Sequence, residues 1–261
     1  MKIIEVVRAL ERFAPLPLQE SFDNAGLQVG LTEVEVSGAL LCLDVTSSIV
    51  DEAIEKGCNL IVSHHPLIFR PLKRVVGADD VQRAVAKAIK HDITILSMHT
   101  NIDNALGGVN FKMAEKMQLT GVKFFTEKQV DDITCGSGVM GELPGAMAAD
   151  DFIMMLKREF DVECVQCNQL LRRPIRMVAI CGGAGSFLLP EAIAAGADAF
   201  VTGEMHYHDY FAHEQEIQIA VIGHYQSEQY TYEIFKSIIE EQCEGVRCVV
   251  TSQNTNPIIY L

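Results

Sequence analysis

The chain has 261 residues, 49% of them apolar and 21% charged, enough to bury a core without disulfide or metal staples and too apolar for a disordered segment. Its formal charge of −14, from 35 acidic and 21 basic residues, works against nucleic acid or an anionic membrane as a bulk partner, because both need clustered Lys and Arg. By length it lies between one large domain and two ordinary ones.

The N-terminal MKIIEVVRALERFAPLP interrupts its apolar residues with charges every few positions, which predicts an amphipathic helix rather than a secretory signal. No apolar stretch approaches the roughly 20 residues that a membrane span needs. GALLCLDV (38–45) reads as a buried strand, and SSIVDEAIEKG (47–57) as a helix capped by Ser and closed by Gly. NLIVS (59–63) is a strand, VQRAVAKAIK (81–90) a helix and DITILSM (92–98) a strand again. That alternation predicts a mostly parallel sheet with helices on its faces.

From about 121 to 173 the rhythm changes to turns (GSGVMGELPG), one helix (AADDFIMMLKREF) and a strand, DVECVQC. The alternation then resumes with RMVAICGG, a helix through LLPEAIAAG, the strand ADAFVTG and a helix near HDYFAHEQ. IQIAVIG, a long helix to Gln242 and VRCVVT complete it. EAIEKGCNLIVS (52–63) is echoed by EAIAAGADAFVT (191–202), and ITILSMHTNID (93–103) by AVIGHYQSE (220–228). The echo predicts an internal repeat, with two similar three-layer α/β lobes facing each other around a shared site. The expected boundaries are 1–120 for the first lobe, 121–173 for a connecting segment without an inserted domain, and 174–261 for the second lobe.

The cysteines Cys42, Cys58, Cys135, Cys164, Cys167, Cys181, Cys243 and Cys248 mostly sit in strand-like runs. With no export signal, they are expected to be reduced core thiols in the cytoplasm, Cys164 and Cys167 being a structural pair.

Three segments carry metal-ligand chemistry. His64 and His65 come at the carboxyl end of a strand, where alternation breaks and Pro66 keeps the chain out of a helix, so both rings can turn to one crevice. Asp103 follows the next strand, within His99-Thr-Asn-Ile-Asp103. His224 and Glu228 follow a third, four residues apart on one face of a helix that Gly223 lets start sharply. Imidazole mixed with carboxylate suits zinc, ferrous iron or manganese, and five such ligands suit two ions better than one. Gly182-Gly183-Ala184-Gly185-Ser186 lacks a dinucleotide or Walker spacing and reads as a tight strand-to-helix turn before an anion cradle.

SFDNAGLQVG (21–30), LDVT (43–46), SHHPLIF (63–69), HTNIDNALGGVN (99–110), TGEMHYHDY (202–210) and GHYQSE (223–228) together resemble the NIF-three-like dinuclear metal proteins, also known as the type 2 GTP cyclohydrolase I family. The motifs come in the family's order over nearly the whole chain. The resemblance implies two divalent ions per chain (Zn, Fe or Mn) on His64, His65, Asp103, His224 and Glu228, and a homohexamer. Its remaining motif carries Glu204 and His208, read as a proton relay beside the metals. His99 is not a ligand by the family pattern, and is left to orient a ligand or touch substrate; His206 and His213 are read as surface residues.

The expected function is metal-assisted hydrolysis of a small molecule, a nucleotide by the family's label, with no nucleic acid and no membrane as partner. The alternative is a non-enzymatic metal-dependent scaffold or metal carrier. A substrate-sized pocket over the ions separates the two.

Overall fold

The computed structural model describes residues 1–261. The chain crosses three times between two compact units, Met1–Ile102 with Thr231–Asn256, and Asp103–Tyr230 with Pro257–Leu261. Both are mixed α/β units with parallel strands at the centre of the sheet.

In the first unit the strands Ala39–Cys42, Leu60–Ser63 and Thr94–Ser97 run parallel in that order, and every residue in them is buried. Burial on both faces explains why these segments read as continuous apolar runs rather than alternating ones. Cys248–Val250 extends the sheet in parallel beside Ala39–Cys42, and Gly26–Val29 closes the other edge antiparallel to Thr94–Ser97. The crossover helices are Ser47–Glu55 and Asp80–Lys90, whose first turns are capped by Thr46, accepting from Ile49 N, and Asp79, accepting from Gln82 N. Their apolar faces cover the sheet through Ile49, Val50, Ala53, Ala84, Val85 and Ala88. Ile3–Phe13, the expected amphipathic helix, packs with Thr231–Gln242.

The second unit holds a six-stranded sheet in the order Thr120–Phe124, Val139–Met147, Ile175–Cys181, Ala199–Thr202, Gln218–Val221, Gln166–Cys167. Ile175–Cys181, Ala199–Thr202 and Gln218–Val221 are parallel, and the flanking strands antiparallel. The echoed segments share a form: Ser47–Glu55 ends before Gly57 (φ 64°) and Leu189–Ala194 before Gly196 (φ 79°), each glycine leading to a parallel strand. A left-handed residue after the helix is what glycine supplies without strain.

Several elements differ from expectation. Residues 103–173, divided by the sequence between a first lobe and a connector, belong to the second unit, and Thr231–Asn256 belongs to the first. GSGVMGELPG is not a run of turns but most of the strand Val139–Met147, whose Pro144 falls where its pairing with Ile175–Cys181 shifts register, a place that tolerates a missing N–H. The helix expected near HDYFAHEQ is a single 3-10 turn, Tyr207–Tyr210, followed by left-handed Ala212 and Gln215 that stop its continuation. The long helix to Gln242 is two, His224–Glu228 and Thr231–Gln242. The strand in DVECVQC shrinks to Gln166–Cys167, and Cys164 and Cys167 are exposed rather than core thiols.

Candidate metal centre

His64 and His65 leave the carboxyl end of Leu60–Ser63 with both backbone N–H groups donating to the Leu43 carbonyl, at 3.1 and 2.9 Å. Two successive amides turned to one acceptor end the strand's alternation, and the rings lie 4.9 Å apart between centroids. His99, after Thr94–Ser97, brings a third ring to 5.3 Å from His64 and 5.5 Å from His65. One ligand nitrogen from each of the three lies within 4.8 Å of the others.

Each ring is held at Nδ1. His64 Nδ1 is 2.9 Å from the Met98 carbonyl, His65 Nδ1 is 2.7 Å from Asp44 Oδ1, and His99 Nδ1 is 2.7 Å from Asp23 Oδ1. These acceptors fix the proton on Nδ1 and give Nε2 the lone pair, the arrangement found around metal-ligating histidine. Burial works to raise the Asp23 carboxyl, but hydrogen bonds from His99 and Thr100 outweigh it and bring it down to about 2. Asp44 is likewise lowered against its burial, by His65 and Thr255. Both carboxylates stay ionised and hold their imidazoles.

In the second unit Gly223, at φ 99°, turns the chain out of Gln218–Val221 into the short helix His224–Glu228. His224 Nε2 is 3.1 Å from Glu228 Oε2, and His224 Nδ1 is 2.9 Å from Glu204 Oε1. Glu228 is buried while Glu204 is exposed. Carboxylate oxygens of Asp103 and Glu228 lie within 4.8 Å of each other. Buried Asn110 supports that approach: its Nδ2 donates to the Asp103 carbonyl at 3.2 Å and its Oδ1 accepts from Gly182 N at 2.8 Å. Gly183, at φ 58°, is where the loop passes the Glu228 carboxylate, and a Cβ there would collide with Glu228 Oε1.

The glycine loop is therefore a seat for an internal carboxylate. Its three glycine amides are engaged, Gly182 by Asn110 Oδ1, Gly183 by Ser227 Oγ and Gly185 by Thr202 Oγ1, so none of them is open to an anion. Beside it lies a cavity of about 260 Å³ lined by Cys164, Ser186, Glu204, His206, His224 and Tyr260 among others. His206, read from sequence as a surface residue, is exposed and also lines this cavity. His208 instead stacks on Phe211 and packs edge-on to Tyr207, while His213 pairs with Glu216 at 2.8 Å.

Asp23, Asp44 and Asn110 received no role from the sequence. They lie within SFDNAGLQVG, LDVT and HTNIDNALGGVN, so the motifs contained the signal, but the partners His99 of Asp23, His65 of Asp44 and Gly182 of Asn110 are too far along the chain for spacing to reveal.

The donors are imidazole nitrogens and carboxylate oxygens, and the Nδ1 acceptors suit metal-ligating rings, so these groups can hold a divalent transition-metal ion. A family model described as Duf34/NIF3 (NGG1p interacting factor 3) matches residues 1–257. The chain belongs to the Duf34/NIF3 family. A Clostridium perfringens member named GTP cyclohydrolase 1 type 2 homolog is 31% identical over 265 residues, covering 100% of both chains. A Streptococcus pneumoniae member of the same name is 33% identical over 208 residues, covering 78% of this chain and 77% of its own. The crystal structure of Staphylococcus aureus hypothetical protein SA1388 matches this Duf34/NIF3 chain with a TM-score of 0.91 at 30% identity, covering 100% of this chain and 99% of that one. A Bacillus cereus protein related to NIF3 shares the fold, with a TM-score of 0.91 at 24% identity. No helix is long and apolar enough to cross a membrane.

Proposed function

We propose that the chain is a metal-dependent hydrolase of a small molecule, with two divalent ions served by His64, His65, Asp103, His224 and Glu228. The observation that carries the reading is the position of Glu228. Its carboxylate lies 3.1 Å from His224 Nε2 and within 4.8 Å of an Asp103 oxygen, so it would hold a metal ion together with either neighbour. A divalent ion there would supply Lewis acidity, polarising the electrophile and acidifying water.

The chain's own residues do the rest. Asp44 and Glu204 hold the His65 and His224 rings by their Nδ1 atoms. Glu204, exposed and lining the cavity beside His224, carries protons between that cavity and the ligands. His208 remains its partner by the family motif, although its ring lies against Tyr207 and Phe211. The same cavity favours an enzyme over a scaffold or carrier. The name borne by the clostridial and streptococcal relatives points to GTP, opened at its imidazole ring by water, as the first substrate to try. The family reading also carries a homohexamer, six chains of 28.8 kDa each, which sedimentation equilibrium would detect.

Elemental mass spectrometry of the purified protein should find close to two transition-metal ions per chain. His64→Ala with Glu228→Ala should remove them and leave the circular dichroism spectrum unchanged. Metal-loaded protein is then screened against nucleotides, with Glu204→Gln as control. A folded protein that takes up no metal ends the proposal, and turnover indifferent to Glu204→Gln removes Glu204 as proton carrier.

A further inference from the structure

We infer that the exposed basic loop after His64 and His65 binds the phosphate chain of an anionic small-molecule substrate, through Arg70, Lys73 and Arg74. The inference rests on the hydrolase reading for what happens to that substrate at the metal centre; phosphate binding itself is measured without turnover.

The distribution of charge carries the argument. The chain has 21 basic residues against 35 acidic ones, and its cations are commonly matched, Lys2 with Glu33, Arg83 with Asp80, Lys87 with Asp51 and Arg173 with Asp198. Arg70, Lys73 and Arg74 stand apart. All three are exposed, and none of their side chains has a hydrogen-bond or ion-pair partner. The acids that end the loop are already engaged, Asp79 by Gln82 N and Nε2, and Asp80 by Ser47 N and Oγ and by Arg83. Neighbouring cations without partners repel one another, whereas a polyanion neutralises them together. The guanidinium groups match phosphate oxygens as planar forks, and the Lys73 ammonium adds a point charge.

The loop is held rather than loose. Asn24 Nδ2 donates to the Ile68 carbonyl at 2.6 Å, and Gln28 Oε1 accepts from Ile68 N at 3.2 Å. At the other end Gln82 Oε1 accepts from Val76 N at 3.0 Å and from Ala78 N at 3.3 Å. Leu67 is buried in the first unit's core, with Ile68 and Leu72 packed against it, so the apolar side chains are taken inward and the basic ones stay in solvent. A loop fixed at both ends has less entropy to lose on binding. It also begins at the chemistry. Pro66 follows His65 directly, and Phe69, next to Arg70, lies edge-on to His99 with 6.1 Å between ring centroids. A substrate reacting at that centre can extend its phosphates over this loop.

Calorimetric titration of the full, metal-loaded chain with inorganic tripolyphosphate, GTP and guanosine tests this. The tripolyphosphate titration is repeated in EDTA on His64→Ala with Glu228→Ala, where no ion at the centre takes up phosphate. Tripolyphosphate should bind in both, and GTP more tightly than guanosine. Arg70→Ala with Lys73→Ala and Arg74→Ala should weaken tripolyphosphate and GTP about 10- to 100-fold at low salt, and less at high salt, with guanosine affinity and zinc content unchanged. Arg70→Lys with Arg74→Lys keeps the charge and should stay within about fivefold. Lys90→Glu, an exposed cation elsewhere in the same unit, should stay within about twofold. Circular dichroism confirms folding of every variant. No tripolyphosphate binding by the unmodified chain, an affinity unchanged within about twofold in the triple variant, or an equal loss on Lys90→Glu overturns the inference. So does a triple variant that binds tripolyphosphate normally but sediments differently, since the loop would then join copies of the chain. Failure of the hydrolase reading has a different signature: loop-dependent tripolyphosphate binding with no nucleotide turned over supports the phosphate site and ends the hydrolase.

Discussion

Gly183→Ala isolates what the glycine loop does for Glu228. Gly183 has φ 58°, and a Cβ on it would collide with Glu228 Oε1. Gly196, in the same unit, has φ 79° but open space where its Cβ would be. Alanine at either position pays left-handed strain of about 1–2 kcal/mol. Only at Gly183 must a carboxylate also retreat by about an ångström to restore van der Waals contact, an overpacking cost of about 1–3 kcal/mol. Urea denaturation of the metal-free protein should therefore show Gly183→Ala as the more destabilised variant by that second amount. Zinc titration should show a larger contrast: affinity about 10- to 100-fold weaker for Gly183→Ala, the range for disturbing groups that orient ligands, and unchanged for Gly196→Ala. Equal stabilities together with equal zinc affinities would refute the reasoning, since Glu228 would then not depend on the space that glycine leaves.

Asp44→Ala removes the acceptor that fixes the His65 tautomer and should weaken zinc binding about 10- to 100-fold with unchanged helix content; isothermal titration decides it. Glu52, buried, accepts from Thr251 Oγ1 and from Ser252 N and Oγ. Burial opposes its ionisation, yet those bonds lower it below its ordinary 4.5. The stability it confers is complete above that value and lost as pH falls through the lower, folded-state value. Glu52→Gln should cost about 1.5–3 kcal/mol at neutral pH and flatten the acid limb of stability against pH; an acid limb as steep as in the unmodified chain, from urea midpoints, would count against this. Phe152→Ala, at a fully buried position in the second unit's core, should cost about 3–5 kcal/mol by the same denaturation; a loss under 1 kcal/mol would contradict the packing.

The buried parallel strands were the most legible part of the fold. Ala39–Cys42, Leu60–Ser63 and Thr94–Ser97 lie within the apolar runs that announced them, because burial on both faces leaves a run of Leu, Ile and Val unbroken. Val139–Met147 was hidden by its own glycines and Pro144, which are turn signals wherever tertiary pairing does not override them. Cys248–Val250 was recognisable as a strand but not as a neighbour of Ala39–Cys42, since pairing across two hundred residues leaves no local trace. At the site, the position of His64, His65, His224 and Glu228 directly after buried strands was legible. Asp23, Asp44 and Glu204 could not be read as partners of His99, His65 and His224, because each pair is made by the fold and not by spacing.

The assignment of Thr231–Asn256 to the first unit sets an order of events at the ribosome. Residues 103–230 emerge before the segment that completes the sheet begun at residue 26, so the first unit waits through the synthesis of most of the second. During that interval the buried strand Ala39–Cys42 exposes an unpaired edge where Cys248–Val250 will later bind, a template for pairing with another chain. A nascent chain stalled near residue 230 should be more prone to self-association than the finished protein.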